Sequence, residues 1–119
     1  MRISNSAAVA SAGAGPLHAQ TSHLVALVSA GALALELWRA EQAATELHDI
    51  YLRKIREYEG RYGAIDGRIN PRDPKYVGII SYTMDERRAL TSARRKVYAA
   101  RRRLRVACAK AAREGAASA

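Results

Sequence analysis

The sequence predicts an all-α fold in which two long helices fold back as an antiparallel, coiled-coil-like hairpin, and three observations predict it. Leu90, Ala93, Val97, Ala100, Leu104, Ala107 and Ala111 recur at alternating spacings of three and four, which is the apolar seam of a heptad repeat sustained over three heptads. A second seam of the same kind lies upstream, in Leu33, Leu37, Ala40, Ala44, Leu47 and Tyr51. Between the two, Gly60, Gly63, Gly67, Pro71, Pro74 and Gly78 break the periodicity and mark an irregular cap. Both seams alternate larger side chains with alanine, so leucine from one helix can fill the space over alanine of the other at close approach.

With 119 residues the chain is at most one domain, read as a flexible arm over 1–20 and a helical-hairpin domain over 21–119. The arm is built of Ala, Ser and Gly with no acidic residue. It makes a poor signal peptide, because its apolar part holds a single valine, and it reads as disordered.

The first helix is expected over about 22–59, with Gly60 as a left-handed terminator. Its opening part, Leu24 to Leu35, is apolar nearly all round. A membrane span needs ~20 apolar residues, and Glu36 and Arg39 interrupt this run. A buried helix or an oligomer interface fits better, which makes Leu24, Leu27, Val28 and Leu35 the expected self-association or docking face.

The cap over 60–82 contains Asp66-Gly67, a tight-turn signal, and Asn70-Pro71-Arg72-Asp73-Pro74, a rigid polar turn. Tyr76 to Tyr82 is apolar and reads as a short strand or an extended piece laid over the helix pair. The basic helix follows over 83–114. Thr83 and Glu86 have the spacing of a capping box, and Gly115 is placed to close the helix.

The formal charge of +9 is concentrated in this last helix, where eleven Lys or Arg stand against three acids between Thr83 and Glu114. The register sorts them. Arg94, Lys96, Arg101, Arg103 and Lys110 flank the seam, where they can meet Glu36, Glu41 and Glu57 of the first helix. Arg88, Arg95 and Arg102 fall at successive positions facing away from the partner helix, with Arg105 beside them. Arginine suits bidentate contact with phosphate, and the stripe lacks the interspersed glutamates of an ordinary solvated helix.

No spacing of nucleophile, base, metal ligand or glycine-rich phosphate loop stands out, so the expectation is a protein without enzymatic activity, cofactor or metal. The lone Cys108 excludes a disulfide framework within one chain and is expected to be half-buried. Two functions follow. The first is non-specific binding of a nucleic-acid backbone through Arg88, Arg95, Arg102 and Arg105. The second is a structural, adaptor or inhibitor role, docking on an acidic protein surface within a larger assembly such as a virion. Either is expected in the cytoplasm or in a particle assembled there, as a homo-oligomer or assembly subunit, with a membrane partner disfavoured.

Overall fold

A computed structural model describes the backbone of residues 4–118 and the side chains of residues 17–117. It is all-α, with no strand among the described residues. Helix α1 runs Ser4–Tyr62, a 3-10 turn spans Pro74–Tyr76, α2 runs Val77–Tyr82 and α3 runs Met84–Ser118. The two long helices pack against each other. The chain divides into two units, Met1–Leu37 with Ala100–Ala119, and Trp38–Ala99.

The seam of α3 lies where its period puts it. Leu90, Ala93, Val97, Ala100 and Ala111 are buried, and Leu104 and Ala107 are half-buried. Leu33, Leu37, Ala40, Ala44, Leu47 and Tyr51 of α1 are all half-buried. Within the first unit, Arg103 pairs with Glu36, and the His23 ring lies against Gly115. The helices of that unit therefore run in opposite chain directions.

The second unit contains the connecting segment. Residues 76–82 form neither a strand nor an extended piece: Pro74 opens a 3-10 turn that Asp73 caps by accepting from the Lys75 N–H at 3.1 Å, and α2 continues from it. The β-branched and aromatic content that suggested a strand is overridden by burial of Tyr76 and Ile79. The polar turn before it closes through the Asp73 N–H donating to the Asn70 carbonyl at 3.0 Å.

Several ends differ from the sequence expectation. The helical backbone of α1 starts at Ser4 rather than near Ser22, consistent with the high helix propensity of the alanine-rich stretch. Residues 1–3 of the expected arm lie outside the described residues. At the other end, Gly60 stays helical and the chain turns at Gly63, whose φ of 103° is the left-handed region that glycine tolerates. No capping box forms through Thr83: its hydroxyl donates back to the Ile79 carbonyl at 2.8 Å, because α2 ends there and leaves that carbonyl in reach. Gly115 does not terminate α3, which continues to Ser118. A Cβ on Gly115 would lie 2.9 Å from His23 Nε2, so this glycine serves close approach instead.

Candidate nucleic-acid interface

The arginine stripe is exposed at all four expected positions, Arg88, Arg95, Arg102 and Arg105. Among the described residues no carboxylate lies within ion-pair distance of any of them. A guanidinium in water without a carboxylate partner keeps its donors free for an incoming anion.

In the second unit, Arg88 and Arg95 line a shallow concavity of about 420 Å³ along α3, together with Met84, Arg87, Thr91 and Ser92. These positions recur at three, four and seven along the helix, so they share one face. Three guanidinium groups and two hydroxyls converge there with no carboxylate in the lining. Such a set offers forked N–H donors to phosphate oxygens and hydroxyl donors between them. Arg87, Thr91 and Ser92 were not singled out from the sequence, although their spacing from Arg88 and Arg95 was legible.

Arg102 lines a different groove, in the first unit, with Leu33, Arg103, Val106, Ala107 and Lys110. Arg105 is exposed and lines neither concavity. The four arginines thus do not share one local site. The flanking charges divide likewise: Glu36 meets Arg103 as the register anticipates, whereas Glu57 turns to its own helix, with Lys54 Nζ at 3.8 Å and Arg61 at 3.6 Å.

Three tyrosines of the second unit cluster. Tyr58 lies 4.8 Å from Tyr62 and 5.5 Å from Tyr82 between ring centroids, with Lys54 Nζ 4.7 Å from the centre of the Tyr82 ring. The Tyr82 hydroxyl donates to the Glu57 carboxylate and, with Lys54 beside it, holds that carboxyl below its ordinary range, while Glu57 raises the tyrosine in return. Tyr76 donates its hydroxyl to the Asp66 carbonyl at 2.6 Å. These contacts hold the connecting segment in place. Tyr98, on α3, is exposed.

The expected docking face, Leu24, Leu27, Val28 and Leu35, lies wholly in the first unit and is exposed. Cys108 is exposed rather than half-buried, because it stands one position beyond the seam residue Ala107. Among the described residues, no group of three or more His, Cys, Asp or Glu stands together as a metal site. Compared with known proteins, the chain matches no family model, no curated protein and no solved structure.

Proposed function

We propose that this chain is a small helical-hairpin protein, without enzymatic activity, that binds the phosphate backbone of nucleic acid with little sequence preference. The concavity formed by Arg87, Arg88, Thr91, Ser92 and Arg95 carries the reading, because cationic forks and hydroxyl donors meet there without a carboxylate. Arg102 and Arg105 add exposed cationic charge further along α3. Cationic forks and hydroxyls without a carboxylate suit phosphate oxygens, and contacts of that kind position a protein on nucleic acid rather than specify a sequence.

Binding to mixed-sequence duplex DNA, single-stranded DNA and RNA across a salt series tests this. The logarithm of affinity should fall linearly with the logarithm of salt, by roughly 0.9 for each duplex phosphate neutralised. Replacing Arg87, Arg88 and Arg95 by glutamine should reduce that slope by about two to three. Absence of binding at low salt, or a slope untouched by the substitutions, would sink the proposal. An acidic protein surface would then be the partner to seek for the basic helix.

A further inference from the structure

The first unit leaves a face of large aliphatic side chains in solvent. Among the described residues its buried side chains are Ala26, Ala100 and Ala111, 4%, 1% and 5% exposed, with Leu33, Leu37 and Leu104 half-buried, while Leu24 is 61% and Val28 65% exposed, with Val25, Leu27 and Leu35 also facing solvent. Burial of apolar surface drives folding, so a unit complete in itself turns leucine inward before alanine. Three properties of this surface distinguish what could cover it.

The first property is width. Leu24, Val28 and Leu35 recur at four and seven on the side of α1 turned away from Ala26, and Val25 and Leu27 lie to either side of that line. The apolar arc is therefore broader than the two-in-seven stripe that one partner helix covers. The second property is length. From Leu17 to Leu35 there is no Asp, Glu, Lys or Arg, a run of roughly 28 Å at the helical rise. Over Leu17–Tyr62, α1 holds a window of mean hydropathy 1.4 that is only 11% buried, long and apolar enough by length and composition to cross a membrane.

Charge is the third property. Residues 100–117 of the same unit carry six Lys or Arg against one Glu. A second copy would bring a second such cationic segment into the assembly, whereas anionic lipid is attracted to it. On the flank of the unit, Leu33, Val106 and Ala107 floor a groove of about 490 Å³ whose remaining walls are Arg102, Arg103 and Lys110. An apolar floor with cationic walls complements an amphiphile that has an anionic head.

We propose that the first unit docks on the surface of an anionic lipid bilayer. The exposed face of α1 sits among the upper acyl chains, and Arg102 and Lys110 meet the lipid phosphates at the edge of the groove. Interfacial helices of this kind lie in the plane of the membrane with the apolar face buried ~5–10 Å. Docking on the surface, rather than spanning, follows from the packing of α3 on α1 in this unit. Spanning would carry Arg102, Arg103 and Lys110 into hydrocarbon. The proposal stands independently of nucleic-acid binding, since its residues differ from Arg87, Arg88 and Arg95.

Flotation of the full chain with vesicles of phosphatidylcholine, alone or mixed with phosphatidylserine, tests the assignment. Trp38, the sole tryptophan and one turn beyond Leu35 in α1, reports transfer to a drier environment through its emission. The chain should float with the phosphatidylserine vesicles with Trp38 emission shifted to the blue. Leu24→Gln, Val28→Gln and Leu35→Gln together should weaken binding by roughly a hundredfold while helicity by circular dichroism stays unchanged, because these side chains are exposed. Arg102→Gln with Lys110→Gln should weaken it by roughly tenfold for the anionic vesicles only. Equal flotation of the glutamine triple variant would mean that charge alone holds the protein, and would overturn the proposal. So would equal binding to neutral vesicles, resistance to alkaline extraction as a spanning helix, loss of helicity in the triple variant, or failure to float with a dimer that the triple variant dissociates.

Discussion

Among the described residues, the buried side chains of the unit Trp38–Ala99 are Tyr76, Ile79, Thr83, Leu90, Ala93 and Val97, whereas those of the unit formed by Met1–Leu37 and Ala100–Ala119 are Ala26, Ala100 and Ala111. The two use the same α1 and α3, and both carry large aliphatic residues. What differs is a third element. Tyr76 and Ile79 come from the 3-10 turn and α2, which lie against α1 at Tyr58 and Tyr62. In the first unit, where the described residues include no such element, the facing surfaces bury alanine and cover Leu33, Leu37 and Leu104 only in part, while Leu24, Val28 and Leu35 remain outside. Two helices make a seam; a core that takes isoleucine needs a third wall or an external surface.

The sharpest way to break this comparison is to truncate one large side chain from each unit and follow denaturant unfolding. Ile79→Ala should lose about 2–5 kcal/mol, the usual cost of removing a buried aliphatic group and leaving a cavity. Leu24→Ala should stay within about 0.5 kcal/mol, because its side chain already lies in water. Comparable losses would mean that Leu24 is packed, and the distinction between the units would fall.

Glycine substitutions sharpen the same contrast with smaller effects. A Cβ on Gly78 would lie 2.5 Å from the Tyr58 hydroxyl oxygen, and ring contacts with Tyr62 and Tyr82 limit how far Tyr58 can yield. Gly78→Ala should therefore destabilise by roughly 1–3 kcal/mol. Nothing lies within 4 Å of a Cβ built on Gly31, so Gly31→Ala should stabilise by about 0.5–1 kcal/mol through helix propensity alone. Thermal melts of the two variants should shift in opposite directions.

The smallest effect belongs to the pair of Glu57 and Tyr82. Glu57 is held below its ordinary value of 4.5, chiefly by the Tyr82 hydroxyl and then by Lys54, so its contribution is present above pH 4.5 and is lost as pH falls through the lowered value. Tyr82 is raised above 10.0 by Glu57, so its contribution is present below pH 10.0 and is lost as pH rises through the raised value. The melting-temperature difference between wild type and Tyr82→Phe should therefore be widest between those limits and shrink outside them. A pH-independent difference would remove the hydrogen bond from the account.

Much of α3 was legible because its signal is local. A seven-residue apolar period names the inward face of a helix whatever that helix packs against, and Leu90 through Ala111 follow it. Arg88 and Arg95 were legible for the same reason, as was the Glu36–Arg103 pairing. Helix ends were read less well. Thr83 has the residues of a capping box but meets a preceding helix, and Gly60 and Gly115 have the type of terminators but not the conformation. Residues 76–82 carry strand-like composition and become a turn and a helix because Tyr76 and Ile79 are buried.

By itself the sequence determined that the chain is helical, where α3 turns inward and where its cationic residues lie, because backbone hydrogen bonding and a period near 3.6 are set within a few residues. Only the tertiary structure decided which large side chains are enclosed. Leucine at 24 and isoleucine at 79 have the same appetite for burial, and what separates them is whether another element arrives to cover them, a matter of contacts from distant parts of the chain.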